Sequence, residues 1–204
     1  MKFVLFVEGY TERVAVAKFI KRWLDPQLPR PVGIQTIRYG GWAEMVKDMP
    51  QKARMVLLGP DRDEIIAVIA LLDLYGPTIY PTHLTSADQR IAWGTTELSR
   101  IVGQPRFKVH FAVHELEAWL LSNPALFPRL VGQHLPASAS QPETVNFDTP
   151  PAKLLDRLYL QHVNRHYSKV SDGSLLFEKL DPAIAYQRCP HLAGMLDEML
   201  ELCR

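Results

Sequence analysis

Three apolar runs of strand length each end on acidic residues, and this pattern constrains the fold more than any other feature of the chain. The runs are Lys2 to Val7, Ile65 to Leu72 and Phe107 to Val113, and the acids that follow them are Glu8, Asp73, Glu115 and Glu117. The first two runs are almost continuously apolar, which is typical of strands buried on both faces of a parallel sheet. Because parallel strands end at one edge, where open α/β sheets form their ligand crevices, we expect these acids to lie close together.

Segments with helical spacing of apolar residues alternate with the strands. The helical segments run from about Thr11 to Leu24, from Trp42 to Leu58 with an interruption at Pro50, and from Ser86 to Val102 with Gly94 as a weak point. A fourth strand, Val32 to Arg38, lies between the first two helices and ends in a glycine pair. This alternation predicts an α/β fold with a mostly parallel four-stranded sheet flanked by helices.

The pattern changes after Asn123-Pro124, where strand signals stop. Pro136 to Pro151 is typical of a loop, and three helical patterns follow it: Ala152 to Arg165, Ser174 to Leu180 or beyond, and His191 to Leu202. We therefore expect an α/β domain over residues 1–123 and a helical C-terminal cap over residues 124–204, packed together as one compact unit.

Composition limits the classes of partner and the compartment. The 23 basic and 22 acidic residues give a net charge of +1, so any surface that binds nucleic acid must be local. The two cysteines, Cys189 and Cys203, provide no zinc spacing and little basis for a disulfide framework, which favours a reducing cytoplasm. Because no apolar run is long enough for a signal peptide or a spanning helix, we expect a cytoplasmic protein with no membrane partner.

Oxygen ligands gathered at a sheet edge favour a hard cation. Carboxylates without Cys or His suit Mg²⁺ or Mn²⁺, which keep several waters and link the protein to substrate phosphates. Glu8 and Glu12 are four residues apart at a helix start, so both can face the same side, one binding a metal and the other a second metal or a water. The acids therefore predict phosphate chemistry.

Structural explanations remain open for several of these residues. Glu8 favours a helix N-terminus, Glu12 can pair on the surface with Arg13 or Lys18, and Asp73 precedes a Gly-Pro turn. Residues that are two positions apart on a helix point in different directions. We therefore expect only one of Glu115 and Glu117 to bind metal, while the other caps the helix or faces solvent. Which of the two binds metal stays open at this point. His114 is more typical of a structural histidine than of a ligand.

The ordered motifs resemble those of Toprim-like proteins, the fold shared by topoisomerase, primase and overcoming-lysogenization-defect nuclease domains, and most of all the domain of unknown function 4276 family. The resemblance is carried by Phe6-Val7-Glu8-Gly9-Tyr10-Thr11-Glu12, Leu72-Asp73-Leu74-Tyr75-Gly76-Pro77 and His114-Glu115-Leu116-Glu117-Ala118-Trp119-Leu120-Leu121, with weaker matches at Thr149-Pro150-Pro151-Ala152-Lys153, Tyr167-Ser168-Lys169 and Cys189-Pro190-His191. It implies a Toprim glutamate at Glu8 and a metal-binding aspartate at Asp73. The usual Asp-x-Asp becomes Asp73-Leu74-Tyr75, so Glu115 or Glu117 would have to supply the missing ligand.

The leading hypothesis is metal-dependent phosphodiester hydrolysis, in which Glu8, Asp73 and Lys153 are the expected catalytic residues. The expected ligands of Mg²⁺ or Mn²⁺ are Glu8, Glu12, Asp73, Glu115 and Glu117. Lys153 or Lys169 would offset charge on the phosphate, and Lys153 is favoured because it opens a helix after Pro150-Pro151.

The resemblance further implies a nucleic-acid substrate, DNA or RNA, and a prokaryotic defence effector working with an ATPase partner, with a homo-oligomer as a further expectation. A catalytically idle module that binds nucleic acid or a partner protein and regulates an ATPase is the alternative. A nucleotide-hydrolysing enzyme is a third hypothesis. The sequence contains no Gly-x-x-x-x-Gly-Lys phosphate loop to support it.

Overall fold

The computed structural model describes residues 1–9, 12–144 and 149–204, and within these ranges it describes only the backbone of Glu12. Four strands form one sheet: β1 is Lys2–Val7, β2 is Gly33–Arg38, β3 is Ile65–Asp73 and β4 is Phe107–Ala112. Their order is β2-β1-β3-β4, and every neighbouring pair is parallel. The predicted α/β class and four-stranded parallel sheet are confirmed.

Helices cover both faces of this sheet. Their bounds are Ala17–Leu24 (α1), Trp42–Leu58 (α2), Ala87–Val102 (α3), Glu117–Leu121 (α4), Arg129–Gln133 (α5), Pro151–Val163 (α6), Ser174–Lys179 (α7), Pro182–Arg188 (α8) and Pro190–Leu202 (α9). A π-helical turn, Glu12–Val16, leads into α1, so the predicted start at Thr11 lies outside the described residues. No helix in the described ranges is both long enough and apolar enough to cross a membrane.

Alternate residues of the central strands serve two separate cores. In β1, Phe3, Leu5 and Val7 pack with α1 and the C-terminal helices, whereas Val4 and Phe6 pack with α2 and α3. Side chains of a strand point alternately to opposite faces, so a strand with a helical layer on each side must be apolar throughout. The uninterrupted apolar runs in the sequence follow from this arrangement.

The predicted interruption of the second helix at Pro50 is wrong, because α2 continues through this residue. Proline removes one backbone hydrogen bond and costs about 3 kcal/mol in a helix interior. Burial of large apolar side chains, each contributing about 1.5–3 kcal/mol, offsets that cost. The buried face of α2 repeats every four residues, at Met45, Met49, Ala53 and Leu57.

The C-terminal third contains more short helices than the three predicted patterns. The second pattern divides into α7 and α8, since Asp181 accepts a hydrogen bond from the backbone N–H of Ala183 at 2.9 Å and caps a new helix that starts at Pro182. The loop predicted over 136–151 contains two short 3₁₀ turns, Ala137–Ser140 and Pro142–Thr144, and its residues 145–148 lie outside the described part. Helices of five to seven residues are too short to give a clear apolar period.

Aromatic side chains join the C-terminal helices to the sheet layer. Trp119 of α4 stacks on Phe19 of α1 with ring centroids 6.0 Å apart, and Phe177 of α7 meets both rings edge-on. All three side chains belong to the same buried core as one face of β1. Trp119 is fully buried in this core, and the division of the chain at residue 123 stays a prediction.

Gly94, the predicted weak point of the third helix, lies in α3 against Phe111 of β4. A Cβ atom at this position would lie 2.6 Å from Cζ of that ring, which is itself buried. We expect Gly94→Ala to lower the free energy of unfolding by about 1–2 kcal/mol in urea titrations, because overpacking outweighs the better helix propensity of alanine. Gly194→Ala in α9, where nothing lies within 4 Å, is the control and should be neutral or stabilising. Equal stability of the Gly94→Ala and wild-type chains would contradict this packing.

Glu198 of α9 fastens that helix to β4. Its carboxylate lies 3.0 Å from Nζ of Lys108 and 2.9 Å from Nε2 of His110. The close contact with His110 outweighs burial and, together with Lys108, lowers the pKa of Glu198 from 4.5 to about 2.

A carboxylate whose pKa is depressed on folding stabilises the protein fully above its unfolded pKa and loses that contribution as the pH falls. We therefore expect Glu198 to contribute about 1–2 kcal/mol near neutral pH, allowing for solvent screening, and to lose it between about pH 4.5 and pH 2. Urea unfolding across this range should show a shallower acid loss for Glu198→Gln than for wild type. Parallel curves for the two chains would refute the assignment.

Candidate functional site

Glu8 and Asp73 meet at the carboxyl ends of the two central strands. Glu8 directly follows β1, and Asp73 is the last residue of β3, which pairs with β1. Oε1 of Glu8 accepts a hydrogen bond from the backbone N–H of Asp73 at 3.0 Å. The two residues that the sequence predicts to lie together are therefore directly connected, through the side chain of Glu8 and the backbone of Asp73.

Asp73 extends the connection to the end of the fourth strand. Its Oδ1 accepts a hydrogen bond from the backbone N–H of Leu116 at 3.1 Å. The backbone around it is also paired, since the N–H of Tyr75 donates to the carbonyl of His114 at 2.8 Å. The segments that follow β3 and β4 are thus held side by side, which brings Glu115 and Glu117 to the same edge as Glu8 and Asp73.

His114 makes the turn that aims these two glutamates. Its φ of 66° lies in the left-handed region, which non-glycine residues rarely adopt. After this turn Glu115 precedes α4, whereas Glu117 is the first residue of that helix. Burial lowers the pKa of the His114 imidazole despite the nearby charge of Glu115, so the ring is neutral near pH 7.

Glu115 and Glu117 converge on one amine, that of Lys169. Nζ of Lys169 lies 2.9 Å from Oε1 of Glu115 and 3.4 Å from Oε2 of Glu117. The expectation that these glutamates point apart is wrong, because Glu115 is not helical and helical spacing does not apply to the pair. The second oxygen of Glu115 accepts from the backbone N–H of Ala152, in the first turn of α6, at 2.9 Å.

Lys169 supplies a fixed positive charge to the site. Burial acts to lower the pKa of its amine, but the charges of Glu117, Asp73 and Glu115 outweigh burial and hold that pKa above its usual value. Both glutamate side chains are about nine-tenths buried, whereas Lys169 is about half exposed. The amine is therefore a permanent cation that faces buried carboxylates on one side and solvent on the other.

Two aspartates that sequence reasoning did not single out hold the segment that carries Lys169. Asp156 accepts from the backbone N–H of Tyr167 at 3.0 Å, and Asp172 accepts from that of Ser168 at 2.8 Å. Asp172 also receives two hydrogen bonds from the guanidinium of Arg165, each 2.7 Å long. Asp156 binds a backbone group 11 residues away and Asp172 binds one within a turn. The spacing of residues in the sequence does not predict either contact.

Lys153 lies in the first turn of α6, where the sequence placed it, but its surroundings differ from those of Lys169. Its Nζ lies 5.9 Å from the centre of the Tyr75 ring, which is within the range of a cation–π contact. This contact places a second basic group beside the segment that follows Asp73.

Tyr80 and Arg90 form a contact near Glu8 and Asp73 that the sequence did not predict. The guanidinium of Arg90 lies 5.4 Å from the centre of the Tyr80 ring. Burial raises the pKa of Tyr80, and the charges of Glu8 and Asp73 raise it further against the opposing effect of Arg90. The phenol therefore stays protonated and lies within the electrostatic reach of both carboxylates.

The donor set suits a cation that retains much of its water. Mg²⁺ is commonly bound through one or two carboxylates together with waters and substrate phosphates, and Glu8 with Asp73 provides such a pair. Within the described part of the chain, no group of three or more His, Cys, Asp or Glu residues gathers closely enough to form a metal cluster. The predicted ligand at Glu12 lies outside the described side chains. The carboxylates described fit a water-rich site and do not fit an all-protein cage.

Comparisons with known proteins bear on the fold and the family. The structure is similar to the C-terminal region of the Burkholderia pseudomallei OLD protein, with a TM-score of 0.50 and 16% sequence identity over 99% of this chain and 98% of that chain. At this identity the likeness shows a shared fold. A comparison with curated proteins gave no match. The family model named Domain of unknown function (DUF4276) matches residues 7–200, and this chain therefore belongs to the DUF4276 family.

Proposed function

We propose that this chain is a Toprim-type, metal-dependent nuclease that hydrolyses phosphodiester bonds. The observation that carries the proposal is the hydrogen bond between Glu8 and Asp73 at adjacent strand ends, beside a second pair of carboxylates held by a lysine. Acidic groups at the carboxyl edge of a parallel sheet suit a divalent cation and, through it, a phosphate. The fold shared with the OLD protein region is compatible with this chemistry.

The proposal assigns separate roles to the acids. Glu8 and Asp73 are the principal ligands of Mg²⁺ or Mn²⁺, and Glu12 remains a proposed additional ligand. The two oxygens of Glu115 bind Lys169 and the backbone of Ala152. Glu117 is therefore the proposed further ligand from this pair, reaching the cation through a bound water. Glu115 is then a positioning residue that holds the amine and the start of α6.

Basic side chains complete the proposed reaction site. The bound cation would lower the pKa of a coordinated water and supply the nucleophile. Lys169, half exposed and permanently charged, can turn from Glu117 toward a phosphate oxygen as negative charge develops there. Lys153 keeps its proposed catalytic role as a second cation and approaches the same edge from the ring of Tyr75.

Binding and cleavage measured on one preparation test the proposal. Calorimetry with Mn²⁺ and Mg²⁺ should give saturable binding, and circular DNA, linear DNA and RNA should each be incubated with the chain in the same ions and in EDTA. We expect cleavage of at least one substrate with Mn²⁺ and none with EDTA. The Asp73→Asn chain, purified identically, separates this activity from a contaminating nuclease. A chain that binds neither ion overturns the proposal.

A catalytically idle nucleic-acid-binding or partner-binding module that regulates an ATPase is the second proposed function, and a specific contact favours it. Tyr75 stands where the second Toprim aspartate is expected, and Lys169 offsets part of the negative charge of Glu115 and Glu117. Saturable binding of DNA or RNA without cleavage in either ion would favour this module over the nuclease.

The resemblance to the Toprim-like nucleases is the basis for four further proposals. These are a cytoplasmic location, a role in phage defence, an ATPase partner and assembly of several copies. Co-purification of this chain with an ATPase encoded by a neighbouring gene is the direct test of that partner.

A further inference from the structure

Tyr167 carries a buried hydroxyl group that has no hydrogen-bond partner in the described part of the chain. Tyr167 is only 8% exposed, and its ring contacts the ring of Tyr159 edge-on, with centroids 5.4 Å apart. Nearly all buried polar groups in proteins are paired, since an unpaired one loses its hydrogen bonds with water and gains none. An exception beside a proposed reaction site calls for a functional explanation.

Tyr167 belongs to the segment that carries Lys169, the residue that binds the carboxylate pair. Asp156 binds the backbone N–H of Tyr167, and Lys169, two residues later, reaches Glu115 and Glu117. Burial raises the pKa of Tyr167, and among nearby charges that of Glu117 raises it most. The phenol is therefore protonated, can act as a donor, and has Glu117 as its strongest electrostatic neighbour.

Glu117 loses a described donor when a metal takes the place of Lys169. Its side chain is 6% exposed, and the described cation facing it is Lys169, at 3.4 Å. A metal that displaces this amine supplies positive charge to the buried carboxylate but no N–H or O–H donor. Carboxylates that bind metals are generally hydrogen-bonded in turn to neighbouring groups, which orient them.

We infer that Tyr167 is a positioning residue whose hydroxyl donates a hydrogen bond to Glu117 when a bound cation has displaced the Lys169 amine from that carboxylate. The inference rests on the proposed function and extends it by one residue. Among the described residues the hydroxyl has no partner in the absence of metal, so we expect it to contribute only when the cation is bound. Removal of the hydroxyl should therefore affect metal binding and not folding.

Tyr167→Phe tests this directly, and Tyr39→Phe is a matched control. Tyr39 is also buried, at 6% exposed, and also has an unpaired hydroxyl among the described residues, but the acids near it are Asp48 and Glu44. We expect Tyr167→Phe to weaken Mn²⁺ binding about 10-fold or more in calorimetry, while Tyr39→Phe leaves it unchanged. Without metal, the urea midpoint of Tyr167→Phe should equal or exceed that of wild type.

A double-mutant cycle identifies the carboxylate through which Tyr167 acts. In a Glu117→Gln background, Tyr167→Phe should have little further effect on the affinity for Mn²⁺, because the acceptor has already been altered. Equal Mn²⁺ affinity of Tyr167→Phe and wild type overturns the inference and leaves the proposed function standing. A lower metal-free midpoint for Tyr167→Phe also overturns it, since the hydroxyl would then have a structural partner. Failure of the wild-type chain to bind Mn²⁺ overturns both.

Discussion

Asp73→Asn is expected to lower Mn²⁺-dependent cleavage by at least about 100-fold, more than the 10- to 100-fold usual for residues that only support a metal ligand. The substitution changes charge and almost nothing else. Asparagine keeps the oxygen that accepts from the backbone of Leu116 at 3.1 Å, and the backbone N–H that donates to Glu8 is unaltered. The fold should therefore be retained while the site loses an anionic ligand.

Asp63→Asn provides the matched control for this result. Asp63 lies just before the start of β3, at the opposite end of the strand from Asp73, and its side chain is 91% exposed. The same change of charge there should leave cleavage and Mn²⁺ affinity unchanged. Calorimetry, cleavage rate and urea unfolding are measured on all three chains. Wild-type cleavage by Asp73→Asn would remove Asp73 from the reaction and leave the nuclease proposal without its central residue.

The sheet and the meeting of Glu8 with Asp73 were predictable because they follow from strand order and burial. An apolar run flanked by helices on both faces has few alternatives to a central parallel strand, and the residue after such a strand must lie at the carboxyl edge. The sequence accordingly predicts the bounds of β1 without error and those of β3 to within one residue. Proximity at the strand ends needs no knowledge of side-chain packing.

The contacts of Glu115 and Glu117 were not predictable, because they depend on a local conformation and on distant partners. A helical period was assumed for both residues, but the left-handed turn at His114 places Glu115 outside the helix. Lys169 reaches Glu115 from 54 residues away along the chain. Asp156 and Asp172 fix its segment through backbone hydrogen bonds, which leave no periodic signal.

Pro50 and the short C-terminal helices show the same limit in the fold. Sequence propensity favours a break at proline, yet the buried stripe on α2 is long enough to outweigh it. The division between α7 and α8 depends on one capping carboxylate, Asp181, whose effect on chain direction is evident only once its hydrogen bond is known. Local signals therefore predicted the long elements of this chain better than its short ones.

Lys169→Met is expected to lower the free energy of unfolding of the metal-free chain by about 2–3 kcal/mol. Removing one partner of a fully buried ion pair typically costs about 3–5 kcal/mol, and half-exposure of Lys169 reduces that figure. Methionine preserves much of the aliphatic packing but leaves Glu115 and Glu117 without the amine. Added Mn²⁺ should recover part of the lost stability, since a divalent cation can replace the missing charge.

In the Lys169→Met chain, we expect cleavage to fall while the affinity for Mn²⁺ rises. Without the amine, the carboxylates attract Mn²⁺ more strongly, so calorimetry should show tighter binding, while cleavage falls because the phosphate loses a cation. Lys153→Met is the matched control, since Lys153 contacts the Tyr75 ring and its substitution should change stability by only about 0.5 kcal/mol. If Lys153 has its proposed catalytic role, its loss lowers cleavage without tightening Mn²⁺ binding. Weaker Mn²⁺ binding by Lys169→Met would contradict a competition between amine and metal for the same carboxylates.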